Sequence, residues 1–261
     1  MGDLTFAESL HMLEGSEYSP WVKTIFDGIK RGTQINGLRT SSNLLRYFLD
    51  NYLLNSKVIR AKQLEHFNYS KERVDRRLAR TPDRPDLWTK IIEKGFGPDG
   101  LSLAEHHTNA SLFMTAGTET TATALSGTTY QLLTNPDTLS RLTSEIRTSF
   151  THFDQLTLES LAKQKYLMAV LQEGMRMYPP VPSALPRIVP AGGATICGEW
   201  IPAGTKVGVH HLSTYRNEEL FRKPYEFHPE RWLGEEEFKD DKLDALEPFS
   251  VGPRNCLGKV S

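Results

Sequence analysis

Residues 102–134 constrain the fold more than any other stretch, because they read as one long helix. Ser102 and Glu105 form a capping box at its start. Asn135-Pro136 closes it, with Pro136 placed for the first turn of the next helix. A helix of that length commits the chain to a mainly helical architecture, and the flanking sequence agrees. Residues 1–80 read as helices with polar joints. Residues 44–54 (Leu-Leu-Arg-Tyr-Phe-Leu-Asp-Asn-Tyr-Leu-Leu) have the apolar density of a mostly buried helix. Residues 71–80 are a charge-rich helical face. Glu72 and Asp75 interrupt its basic residues and no aromatic residues interleave, so a solvated surface fits better than a nucleic-acid contact. Thr81-Pro-Asp-Arg-Pro85 is a loop. Residues 158–177 form a further helix, stopped by Pro179-Pro180.

Beyond that point the texture changes. Ile188-Val189, Thr195-Ile196 and Trp200-Ile201 are short β-like pieces. Pro202-Ala-Gly-Thr205 is a turn, and Lys206-Val-Gly-Val-His210 reads as another strand. Residues 217–248 are loop-rich, with Pro224, Pro229 and Pro248. There is no fixed-period repeat and no low-complexity tract. The fold class expected is mainly α (α+β): a long central helix, further helices and a small β-sheet.

Charge narrows the function. With 31 basic and 32 acidic residues the net charge is −1, which leaves no global field to attract nucleic acid or a membrane. No window is apolar and uncharged over the ~18 residues a transmembrane helix needs. The opening Met1-Gly-Asp-Leu-Thr-Phe lacks the basic start and apolar core of a signal peptide. Two cysteines, Cys197 and Cys256, make no disulfide framework and suit a reducing compartment. Cys197, inside a hairpin, reads as a packed thiol. His210 and His211 are adjacent strand residues on opposite faces, so neither is expected to be a metal ligand.

The sharpest chemical signal is Phe249-Ser-Val-Gly-Pro-Arg-Asn-Cys-Leu-Gly258. Gly252 and Gly258 permit tight turns and close approach of a bulky planar partner. Backbone N–H groups and Arg254 near Cys256 favour its thiolate. A buried free cysteine beside a glycine turn is the ordinary reading of a lone Cys. Here Phe249, Gly252, Arg254, Cys256 and Gly258 match every fixed position of F-x-x-G-x-R-x-C-x-G, so the segment resembles the haem-binding loop of the cytochrome P450 family. The resemblance implies haem b with Cys256 as axial thiolate, and Arg254 paired with a propionate.

Three further stretches resemble the same family in the same order. Glu173-Gly-Met-Arg176 looks like its E-x-x-R helix. Phe227-His-Pro-Glu-Arg-Trp232 looks like its F-x-P-x-R-F segment, with Trp in the last place. By resemblance Glu173, Arg176 and Arg231 form a buried ion network that braces the cysteine loop, a structural and not a catalytic role. Ala116-Gly-Thr-Glu-Thr-Thr121 is similar to the oxygen-activation motif. There Gly117 implies close approach to haem, and Thr120 and Glu119 imply proton delivery. A threonine-rich helix–helix contact is the alternative for that patch. Arg187 corresponds to an arginine that contacts the second propionate. Phe113, Ala116, Ser183, Ala184 and Leu185 are implied to face substrate, with core packing equally open for each.

The resemblance covers essentially residues 1–261 as one partial domain, with the flavour of fungal microsomal enzymes of secondary metabolism, including the isotrichodermin hydroxylase type. It corresponds to about half of a full family member. The anchor and first helices upstream, and the helix and strands after Cys256, have no counterpart here. A truncated gene model, a pseudogene product or a fragment is therefore expected. The implied activity is a haem-thiolate monooxygenase acting on a lipophilic substrate, with electrons from NADPH-cytochrome P450 reductase. An inactive remnant and a non-catalytic haem-binding module are the alternatives. Full-length relatives imply the endoplasmic reticulum membrane. Without the anchor, this chain is expected in the cytoplasm or is left unassigned.

Overall fold

A computed structural model of the chain describes residues 2–8, 20–81, 83–95 and 100–260. Met1 and Pro82, from the stretches quoted above, and the terminal Ser261 lie outside the described residues. The chain divides into two compact units, residues 1–119 and 120–261.

The first unit holds α1 (Gly2–Phe6), α2 (Pro20–Ser41), α3 (Asn43–Phe48), α4 (Lys57–Leu78), α5 (Leu87–Glu93) and the start of α6 (Leu103–Thr134). Its core gathers Phe6, Val22, Ile25, Val74, Trp88, Ala110 and Met114. Trp88 sits at the centre because Asp86 starts α5 beside it, as N-cap of a reciprocal box with Thr89. The indole packs on Phe6 at 5.3 Å and edge-on to Phe113 at 5.7 Å. It donates from Nε1 to His106 Nδ1 at 3.1 Å, which requires a neutral imidazole there. Burial, reinforced by the adjacent His107, holds the His106 pKa below its ordinary value.

Two expectations for this unit are corrected. Residues 44–54 do not form one buried helix: α3 passes into a π-helical turn, Leu49–Leu53, and Leu44, Tyr47, Phe48 and Tyr52 are all exposed. Apolar residues at consecutive positions surround the helix, so no single face can bury them all, and Leu49 alone of the turn is buried. Residues 71–80 are not wholly solvated. Ser70, Val74 and Arg77 form the inward stripe of α4. Arg77, 4% exposed, clasps Asp86 with 2.5 and 3.0 Å bonds, and Arg80 caps the carbonyls of Phe6 and Ala7.

The second unit contains the rest of α6, then α7 (Pro136–Ser149), α8 (Leu158–Leu161), α9 (Lys165–Met177), four short strands and α10 (His211–Tyr215). The single helix expected over 158–177 is two. Thr157 and Ser160 cap α8, and α9 starts afresh at Lys165. Its first turn is capped by Glu145 of α7, which accepts from the N–H groups of Tyr166 and Leu167 at 3.0 Å each. Tyr166, Val170, Met177 and Phe227 form the core, with Leu132, Leu142 and Leu233 against it.

The β structure is two antiparallel pairs: β1 (Arg187–Ile188) with β4 (Lys206–Val207), and β2 (Ala194–Ile196) with β3 (Glu199–Ile201). Pairing of Ile196 with Glu199 leaves Cys197-Gly198 as the two-residue turn, at φ of 51° and 85°. Cys197 is therefore exposed, not packed. The strand expected over 206–210 stops at Val207. His210 keeps one bridge to Ala184, and His211 opens α10.

Close helix packing rests on Gly174. A Cβ there would lie 2.2 Å from Thr128 Oγ1, whereas nothing lies within 4 Å of one at Gly28 in α2. Gly174→Ala is expected to destabilise the second unit by about 1–3 kcal/mol through overpacking. Gly28→Ala should stabilise the first by up to ~1 kcal/mol through helix propensity. Urea titrations followed by circular dichroism check both signs.

Candidate functional site: the cysteine loop and its buried ion network

Residues 249–256 close on themselves. Cys256 donates its N–H to the Phe249 carbonyl at 2.8 Å, Asn255 to Gly252 at 3.0 Å, and Ser250 to the Glu247 carbonyl at 3.0 Å. Ser250 and Gly252 take φ of 60° and 78°, which fold the segment into a compact turn. Phe249 is half-buried, while residues 251–259 are exposed. Cys256 thus presents its thiol outward at the end of a ring closed by its own backbone. Arg254 lies in a 3-10 turn, Gly252–Arg254, and Gly258 in another, Leu257–Val260. Arg254 has no ion-pair partner among the described residues. Arg187, on β1, donates only to the Leu185 and Pro186 carbonyls at 3.4 and 3.2 Å, so its charge is not neutralised by a carboxylate among the described residues.

Glu173, Arg176 and Arg231 come together, and each side chain is 0% exposed. Arg176 lies one helical turn after Glu173 and donates to both its carboxylate oxygens, at 2.9 and 2.8 Å. Arg231, from the 3-10 turn Pro229–Leu233, reaches the same two oxygens at 3.1 Å. The remaining Arg176 N–H groups go to the carbonyls of Tyr215, Pro224 and Glu226 at 2.8, 2.7 and 2.9 Å. Burial alone would raise the Glu173 pKa. The Arg176 bonds, the two guanidinium charges and the His228 N–H outweigh it and hold the carboxyl below its ordinary value.

Sequence reasoning missed several members of this cluster. Trp232 Nε1 donates to Glu173 at 2.9 Å, the His228 N–H donates to it at 2.9 Å, Asp241 pairs with Arg231, and the Tyr215 carbonyl accepts from Arg176. One signal was readable: Trp232 stands where the family motif has Phe, and an indole brings a donor that a phenyl ring lacks.

On α6, helical structure runs unbroken through residues 116–121. Gly117, Glu119 and Thr120 are half-buried and Ala116 is exposed. Burial raises the Glu119 pKa. The neighbouring Thr118 hydroxyl oxygen is buried without a hydrogen-bond partner among the described residues. Phe113 is held in the first unit's core against Trp88. Ser183 and Leu185 are exposed, and Ala184 is half-buried in its bridge to His210. His211 is buried, with Nδ1 at 2.9 Å from the Val181 carbonyl, while His210 is exposed. A cleft of about 490 Å³ in the first unit, edged by Arg77, Arg80 and Arg84, includes none of the motif residues.

The family model described as Cytochrome P450 matches residues 1–260. This chain belongs to the cytochrome P450 family. It is 52% identical over 263 residues to the cytochrome P450 monooxygenase efuB of Hormonema carpetanum, covering 99% of this chain and 51% of that protein. It is 40% identical over 264 residues to the averantin hydroxylase of Aspergillus parasiticus, covering 99% and 52%. Among solved structures, retinoic acid bound cyanobacterial CYP120A1 superposes with a TM-score of 0.74 at 26% identity, over 99% of this chain and 54% of that one. The P450 chain thus spans about half the length of the relatives it matches. The mainly helical fold with a small sheet follows the expected class.

The P450 family implies a haem cofactor, and the residues present fit one. A soft sulfur donor stands outward from a closed turn, two guanidinium groups lack carboxylate partners among the described residues, and Val251 and Leu257 expose apolar surface beside the cysteine. Among the described residues no helix is long and apolar enough to cross a membrane.

Proposed function

We propose that residues 1–261 form part of a single P450 domain carrying the haem-thiolate centre of a fungal secondary-metabolism monooxygenase. The outward thiol of Cys256 on its closed loop carries this reading. Cys256 would hold the iron of haem b through its thiolate, and Arg254 and Arg187 would pair with its propionates. When bound, the haem supplies the oxygen chemistry. One atom of O₂ enters a lipophilic substrate and the other leaves as water, with two electrons from NADPH through a flavoprotein reductase and two protons in all.

The chain's own residues bind, orient and move protons. Glu119, with its raised pKa, is suited to carry a proton along α6, and Thr120 one residue on would serve in the same proton delivery. Glu173, Arg176 and Arg231 brace the loop. On the second unit, Ser183, Ala184 and Leu185 contribute to the substrate wall. For the whole protein this reading implies the endoplasmic reticulum membrane.

The test is the carbon monoxide difference spectrum of the reduced chain, expressed with excess haem. A red-shifted thiolate-type Soret band is expected. Its absence, with a full-length relative as positive control, removes the monooxygenase reading for this chain and leaves an inactive form. A band without turnover in the presence of reductase and NADPH leaves a haem-binding module.

A further inference from the structure

Tyr215 stands between the buried ion network and the cysteine loop, and touches both. It is the last residue of α10, 1% exposed, with its ring stacked on His211 at 5.5 Å and 11°. Its carbonyl accepts from Arg176 Nη1 at 2.8 Å. Its hydroxyl oxygen accepts from the Glu247 N–H at 3.1 Å. Glu247 is where the loop begins, since its carbonyl takes the Ser250 N–H at 3.0 Å and Phe249 then takes the Cys256 N–H at 2.8 Å. Among the described residues, and apart from the Lys259 N–H on the Cys256 carbonyl at 3.3 Å just beyond it, the Tyr215 hydroxyl makes the one hydrogen bond into residues 247–256 from outside that segment. Other bonds from the network stop short of it: Arg176 ends at Pro224 and Glu226, Arg231 at Arg222 and Asp241.

We propose that Tyr215 is the positioning residue through which the Glu173–Arg176 pair sets the geometry of the Cys256 loop. The two ends of one buried side chain divide the work. The backbone carbonyl fixes Tyr215 on the arginine, and the phenol fixes the loop on Tyr215. A short turn with two residues at positive φ and little buried surface has few contacts to hold it, so a single buried anchor has large leverage on its opening. Burial pushes the Tyr215 pKa up to about 12, so the phenol stays neutral and the anchor is insensitive to pH across the working range. The inference deepens the proposed function and rests on it only for what the loop holds. The anchoring itself is a property of the chain without cofactor.

Tyr215→Phe keeps the ring and removes the acceptor. In the haem-free chain, amide hydrogen exchange at Glu247, Ser250 and Cys256 should accelerate at least tenfold, with amides of α9 unchanged. In the haem-loaded chain, a larger share of the reduced carbon monoxide absorbance should leave the thiolate-type band. Glu247→Pro removes the donor from the other side without touching Tyr215. The backbone preceding it is already extended, with Leu246 at φ −85° and ψ 97°. It should reproduce the faster exchange at Ser250 and Cys256, and it carries the test if Tyr215→Phe fails to fold. Exchange at Ser250 and Cys256 within twofold of wild type in the folded variants would overturn the proposal. A wild-type chain with no thiolate band would sink the haem reading, while the exchange comparison would still decide the anchor.

Discussion

Glu173→Gln is expected to unfold the second unit, or to bring it within reach of mild denaturant. The carboxylate has two guanidinium groups on its two oxygens, with the Trp232 indole and the His228 N–H added, and no solvent reaches it. Glutamine keeps the shape but loses the charge and turns one acceptor oxygen into an amide donor facing donors. Removing one partner of a buried ion pair costs about 3–5 kcal/mol, because the surviving charge stays desolvated. That is comparable with the whole stability of many domains, about 5–15 kcal/mol. Asp241 still faces Arg231, so Arg176 is left facing carbonyl oxygens and the Met177 sulfur.

The pH dependence has a definite sign. The folded Glu173 pKa lies below its ordinary 4.5, so its contribution is fully present above that value and is lost as pH falls through the folded pKa. Wild type and Glu173→Gln should therefore differ most at neutral pH and converge in acid. Urea midpoints between pH 7 and the acid range check both size and sign. A neutral-pH difference under about 1 kcal/mol would contradict the buried network.

Cys256→Ser should have the opposite profile, with a large effect on cofactor chemistry and almost none on stability. The thiol is exposed, and the loop is closed by the Cys256 backbone N–H, which serine keeps. An exposed substitution of this kind changes stability by about 0.5 kcal/mol or less. A serine hydroxyl is a poor soft-metal ligand and is not ionised near neutrality, so the thiolate-type band is expected to disappear. Cys197→Ser is the matched control. It is the other exposed thiol, in a hairpin turn far along the chain from the loop, and it should leave the band unchanged. Loss of the band in Cys197→Ser and its survival in Cys256→Ser would reassign the ligand.

What was legible in the sequence was written in contiguous residues. The capping box that starts α6 is local: Ser102 and Glu105 exchange bonds of 2.8 and 3.3 Å across one turn. So is the stop at Asn135-Pro136, and so are the short offsets of two or three residues that place Phe249, Gly252, Arg254 and Cys256 on one tight loop. Glu173 and Arg176 share a face because three residues span one helical turn.

Tertiary structure alone decided where partners come from far along the chain. The break between α8 and α9 exists because Glu145 supplies a cap from 21 residues upstream. Arg77 is buried rather than solvated because Asp86 and Thr89 curl back to meet it. Cys197 is exposed because strand register, not the apolar residues beside it, places it in the turn. Tyr215 carries no motif of its own and acquires its position only when Arg176 and Glu247, 39 residues before and 32 residues after it, converge on its two ends. Local sequence fixes which groups are available and on which face. Which of them lose water and find a partner depends on chain segments that only folding brings together, and in a buried cluster that loss of water sets the energy.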